Sequence, residues 1–170
     1  MEEDLRKLVA GISAADVLQR RTAAERMCQL GPSARSAATA LVRATADDDE
    51  TVREWAVAAL EELGVPDEAA LDELSPLTAH PKQDVAYWAV TLLARFKDRA
   101  ARCCPAMVKT LQTHASLAVR QRAAWALGQI GVDNESVLEA LRAASHEENR
   151  RLSRLAERAI QQIEPPPGDN

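Results

Sequence analysis

VRQRAAWALGQIG, residues Val119–Gly131, is the stretch that decides the fold. With Val119 counted as position 0, the apolar residues Ala123, Leu127 and Ile130 fall at +4, +8 and +11. At about 100° per residue the four project at roughly 0°, 40°, 80° and 20°, a single stripe along one helix. Gly131 follows directly, at the place where a left-handed C-terminal cap favours glycine. The opposite face carries Gln121, Arg122 and Trp125.

Moving outward, the same register recurs four more times. QRRTAAERMCQLG starts at Gln19, VREWAVAALEELG at Val52, VAYWAVTLLARFK at Val85 and LSRLAERAIQQIE at Leu152. Successive anchors are 33, 33, 34 and 33 residues apart. Position +4 is Ala every time: Ala23, Ala56, Ala89, Ala123 and Ala156. Position +8 reads Met27, Leu60, Leu93, Leu127 and Ile160, and +11 reads Leu30, Leu63, Phe96, Ile130 and Ile163. Gly31, Gly64 and Gly131 close three of the segments, with Lys97 and Glu164 in the other two.

A second helix is expected before each of these, marked by the pairs Leu5/Leu8, Ala38/Leu41, Leu71/Leu74, Cys104/Met107 and Leu138/Leu141. The chain therefore reads as five helical hairpins, about 1–31, 32–64, 65–97, 98–131 and 132–164, within a single domain 1–164. No hairpin can bury its stripe alone, whereas stacked neighbours can. The predicted fold is all-α: an α-solenoid, a right-handed superhelix. The ending EPPPGDN cannot continue a helix, so 165–170 reads as a flexible tail.

Composition agrees with helices. Of 170 residues, 46% are apolar but only 3% aromatic, which favours packed helices over strands. The net charge of −5 speaks against a general binder of nucleic acid or anionic membrane. The start, MEEDLRKLVAG, is acidic where a secretory signal is basic, and no run of about 18 apolar residues suggests a membrane helix. Three cysteines, Cys28, Cys103 and Cys104, make a poor disulfide framework, so a reduced, cytoplasmic setting is expected.

The pattern V-R-x-x-A-A-x-A-L-x-x-I-G, nearly complete in Val119–Gly131, resembles the second helix of HEAT repeats of the phycobilisome-lyase type, over about residues 4–164. The resemblance implies that the V-R-x-x-A-A helices line an inner, concave face. It also implies an Arg at +1, filled by Arg20, Arg53 and Arg120 but not by Ala86 or Ser153. Asp47–Asp49 match the acid that precedes the second helix, while His80, His114 and His146 occupy the later turns, where the ladder pattern breaks. Such solenoids include scaffolds, lyase subunits, a metal-dependent hydroxylase and DNA-repair glycosylases, so the fold alone does not choose a function.

Positions +2, +3, +6 and +10 project at roughly 200°, 300°, 240° and 280°, opposite the core stripe. All three Trp and the single Tyr lie in these rows: Trp55 and Trp88 at +3, Tyr87 at +2 and Trp125 at +6. Trp55 and Trp88 hold one position in consecutive repeats, with an expected separation of roughly 8–10 Å. Ala58 and Thr91 would leave depressions beside the rings, and Arg122 is expected beside Trp88, with Arg154 and Arg158 beyond Trp125. Trp, Tyr and Arg are the types enriched at binding hot spots. The candidate site is therefore Trp55, Tyr87, Trp88, Thr91, Arg122, Trp125, Arg154 and Arg158.

Catalytic chemistry finds little footing. The three His residues sit in equivalent turns of separate repeats, too far apart to converge on one metal. The hydroxylase-type His-Glu pairs at +2 and +3 are missing, these positions reading Arg21-Thr22, Glu54-Trp55, Tyr87-Trp88, Gln121-Arg122 and Arg154-Leu155. Cys103 and Cys104 replace apolar residues of other repeats and are expected to be buried. The sequence thus predicts a non-enzymatic scaffold, without metal or cofactor, that binds a protein or extended peptide in an aromatic and Arg-bearing groove. The alternatives are a bilin-lyase-like subunit holding a flat chromophore, and a nucleic-acid-binding HEAT protein. For the last, the groove's mixture of Arg21, Arg95, Arg122, Arg154 and Arg158 with Glu25, Glu54 and Glu62 is too balanced.

Overall fold

The computed structural model describes residues 2–164, all of whose regular structure is helical. The tail expected at 165–170 lies outside the described residues. Contacts divide the chain into two compact units, Met1–Glu73 and Leu74–Asn170.

The first unit holds α1 (Glu2–Gly11), α2 (Val17–Leu30), α3 (Ala38–Ala44) and α4 (Glu50–Glu62). Helix α2 packs on α1 and on α4, and α3 packs on α4. Helix α5 (Ala70–Leu74) ends at the boundary of the second unit, which contains α6 (Gln83–Arg95), α7 (Cys104–Thr113), α8 (Leu117–Ile130), α9 (Glu135–Ser145) and α10 (Arg150–Ile163). There α6, α8 and α10 are successive neighbours in one layer, with α7 and α9 adjacent in a second. This is hairpin stacking, and the fold class is an all-α repeat solenoid.

The stripe read from the sequence is the core. All five Ala at +4 are buried, as are Met27, Leu60, Leu93 and Leu127 at +8. Leu63, Phe96, Ile130 and Ile163 at +11 are buried too. The anchors Val52, Val85, Val119 and Leu152 are buried as well, whereas Gln19, the polar first anchor, is exposed, and Leu30 and Ile160 are half-exposed. Small residues at +4 let helices approach closely. At Gly128 the approach is closer still, for a Cβ built there would lie 2.8 Å from the Ala159 Cα of α10.

The second helices begin as the local chemistry dictates. Asp16, Asp49, Ser116 and Asn149 are extended N-caps whose side chains accept backbone N–H groups of the first turn. The preceding helices differ from the simple reading. Three of them are part 3-10 helix: Gly31–Ala37 before α3, Pro76–Ala79 after α5, and Lys97–Cys103 before α7. Pro76 and Pro105 stand where the 3-10 and α segments meet, and Pro32 lies in the first turn of its 3-10 stretch; proline lacks the N–H that a continuous α-helix needs there.

The closing position +12 shows what the backbone requires. Gly31, Gly64 and Gly131 have φ of 50°, 74° and 70°, and Lys97 adopts φ 57° in the same register. These four turns therefore take a positive φ even where a side chain must bear it, while Glu164, after the last described helix, has φ −112°.

Candidate functional site

Polar residues at +1 and +2 tie successive hairpins together and fix which flank of each helix faces onward. In the first unit, Arg20 Nε donates to Asp47 at 2.8 Å, and Arg21 Nη2 donates to Asp49 at 2.6 Å. In the second unit the equivalent +1 residue, Arg120, pairs with Glu147, and Gln121 Nε2 donates to Asn149 Oδ1 at 3.1 Å. The ladder therefore continues past the first turns, with Glu147 and Asn149 as acceptors in the turn that also holds His146. Its energetic sign is clearest at Asp49, whose carboxyl is held down at about 2 by the Arg21 hydrogen bond, against the upward pull of burial. At Asp47 burial works upward, but the Arg20 hydrogen bond and donation from the Asp49 N–H leave the carboxyl below its ordinary value.

The histidines serve the turns. His114 Nδ1 accepts the Ser116 N–H at 3.0 Å while Nε2–H faces the His80 carbonyl at 3.1 Å, which is one neutral tautomer. His80 Nδ1 accepts the Lys82 N–H at 3.1 Å. Among the described residues no three His, Cys, Asp or Glu gather where they could hold a metal. Cys103 and Cys104 are buried at the start of α7, and burial, with the adjacent thiol, pushes Cys104 up to about 11.

Since +2 residues face the next repeat, +3 residues face the preceding one. An open depression of about 360 Å³ lies over α8 and collects the flanks that face it. Helix α6 supplies Tyr87 from +2, and α8 supplies Ala118, Gln121, Arg122 and Trp125. Helix α10 supplies Leu155 from +3 and Arg151 from −1. At its centre the Arg122 guanidinium carbon is 4.3 Å from the Tyr87 ring centroid and 4.7 Å from that of Trp125. Both distances are within cation–π range. Burial first, and then the neighbouring Arg151 charge, pull the Arg122 guanidinium below its ordinary value. None of the lining side chains is acidic, and among the described residues neither Arg122 nor Arg151 has an ion-pair partner.

Of the residues singled out from the sequence, Tyr87, Arg122 and Trp125 come together here. Arg122, expected beside Trp88, instead lies over Tyr87 and Trp125. Trp88 is half-buried, with its ring edge-on to Tyr87 at 6.2 Å, on the flank of α6 away from α8. Thr91 is buried and forms no part of the surface. Its hydroxyl donates to the Tyr87 carbonyl at 2.7 Å, the back-bond that Thr makes within a helix. Arg154 and Arg158 are exposed on α10 and do not line the depression. Trp55 is half-buried on α4 in the first unit. Arg151 and Ala118, which also line the depression, hold position −1, one residue ahead of the repeating apolar register. Position −1 projects at about 260°, in the middle of the outward arc, and one further row would have included both.

The stacked hairpins, the polar ladder between them and the outward aromatic row define a class: helical-repeat proteins. Residues 71–161 match the family of HEAT repeats, and the chain belongs to it. No curated protein sequence matches. Solved structures show the same fold at low identity. A designed armadillo repeat protein in complex with the peptide (KR)4 superposes with a TM-score of 0.66 at 20% identity, over 95% of this chain and 82% of that one. The complex of CpcE and CpcF of phycocyanin lyase from Nostoc sp. PCC7120 gives a TM-score of 0.61 at 23% identity, over 94% of this chain and 64% of the other. An engineered protein gives 0.61 at 21%, over 94% and 79%.

Proposed function

We propose that this HEAT-repeat chain is a non-enzymatic scaffold that binds a partner protein or extended peptide on the face of α6, α8 and α10 that is turned away from the core. The observation that carries the reading is the gathering of Tyr87, Arg122, Trp125 and Arg151 around one open depression, with both arginines lacking an acidic partner among the described residues. Aromatic rings and arginine at the centre of a concave patch have the composition of a binding hot spot. The lining contains no His, Ser, Cys, Asp or Glu to act as nucleophile or base, which supports binding over catalysis. Two structures of similar fold are a complex with a peptide and a complex of two proteins, consistent with this use of the architecture.

A flat chromophore or a stacked nucleotide base would need a free slot against the rings. Arg122 already lies over both, which weighs against each alternative. The test is selection of peptides from a random displayed library against the native protein, followed by binding to a Trp125→Ala variant. Peptides that bind the native chain and lose affinity for the variant support the reading. An unenriched library, or peptides indifferent to the substitution, would overturn it.

A further inference from the structure

Resting on that reading, we infer that the depression receives a carboxylate from an acidic segment of the partner protein, held by Arg122 and Arg151. Three observations converge on it. The two guanidiniums share one open depression without an acid in its lining, and the Arg122 charge is partly desolvated there. A cation in that position gains more from an incoming anion than one in bulk water. The guanidinium of Arg122 lies over the rings of Tyr87 and Trp125, and its N–H donors lie in the plane of the fork. A ring face is no conventional hydrogen-bond acceptor, and among the described residues no protein acceptor takes these donors. A carboxylate is planar and accepts in this bidentate manner. Finally, Ala118 and Leu155 give the depression an apolar border, suited to the methylene stem of a Glu side chain or to an apolar neighbour in the segment.

A base-stacking ligand would have to share the rings with Arg122, and a basic peptide would meet like charge. The occupant is an acidic peptide segment.

The test uses the full chain and four fluorescent probes in low salt: an end-blocked peptide of four Glu-Ala repeats, its Gln-Ala and Lys-Ala counterparts, and an eight-nucleotide oligo-dT. The Glu-Ala peptide is expected to bind at least about tenfold tighter than the Gln-Ala peptide, the loss anticipated for one charge-assisted contact. Arg151→Gln, at an exposed position, and Arg122→Lys, which keeps charge but not the fork, should each remove most of that preference. Equal binding of the Glu-Ala and Gln-Ala peptides, abolished by Trp125→Ala, would overturn the carboxylate assignment while leaving the binding face in place. Tighter binding of the oligonucleotide would overturn it in favour of nucleic acid. Binding of no probe, together with a failed library selection, would remove both the assignment and the face.

Discussion

The guanidinium of Arg122, at +3 on α8, lies over the ring of Tyr87, at +2 on α6, with 4.3 Å between the guanidinium carbon and the ring centroid. This pair records the phase of the solenoid, because a +3 residue meets a +2 residue only when one flank of each helix faces the other. It also places a cation among aromatic rings at the surface rather than in the core. The proposed binding face is built on that arrangement.

Trp125→Ala should leave the fold intact. Trp125 is half-buried and contributes a cation–π contact of about 1 kcal/mol. The thermal midpoint should fall by only a few degrees, measured by circular dichroism, while affinity for any selected peptide is lost. Adding Trp88→Ala should cost little more, and a variant that unfolds at room temperature would make these rings packing elements.

Gly128→Ala should destabilise despite the better helix propensity of alanine, worth about 1 kcal/mol. A Cβ would lie 2.8 Å from both Cα and Cβ of Ala159, so α8 and α10 must separate. Overpacking of that kind costs about 1–3 kcal/mol. A urea midpoint equal to or above that of the native chain would contradict the close approach.

At position 97 the order of stability should be Gly at or above Lys, and Lys above Val. Lys97 holds φ 57°, a conformation costing about 1 kcal/mol or more for a residue with a Cβ, and more when that residue is β-branched. The exposed contact of Lys97 Nζ with Gln129 Oε1 at 2.9 Å offsets little of this. Denaturant unfolding of Lys97→Gly and Lys97→Val gives the order directly, and a Val variant as stable as the Gly variant would contradict the turn geometry.

Acid should expose the Arg21–Asp49 pair. The Asp49 carboxyl is lowered from 3.8 to about 2 in the folded chain, so its contribution is complete above 3.8 and is lost as pH falls from there towards 2. Asp49→Asn keeps the N-cap, as Asn149 does for α10, but removes the titration. Between pH 4 and pH 2 the native chain should therefore lose more stability than the variant; parallel curves would remove Asp49 from the account.

Much of the fold was legible because burial repeats. The Ala row at +4 and the large apolar rows at +8 and +11 return at a nearly fixed spacing, and a stripe with that period has one way to be covered. The first helices were less legible: Pro76 and Pro105 stand where 3-10 and α segments meet, Pro32 opens a 3-10 stretch, and their apolar pairs are too short to show it. At the site, Tyr87, Arg122 and Trp125 were visible as outward residue types in outward rows. Thr91 was misplaced because a hydroxyl that bonds its own helix reads like a surface group. Arg154 and Arg158 were grouped with the site by face alone, whereas the flank of each helix decides which residues meet. Arg151 escaped because it precedes the first apolar anchor.

The most direct measurement is an NMR titration of isotope-labelled protein with the end-blocked Glu-Ala peptide, following side-chain N–H resonances. The account predicts saturable shifts of the Trp125 indole Nε1–H and the Arg122 Nε–H, absent with the Gln-Ala peptide. If both resonances stay in place while the peptide binds, the depression over α8 is not the binding site.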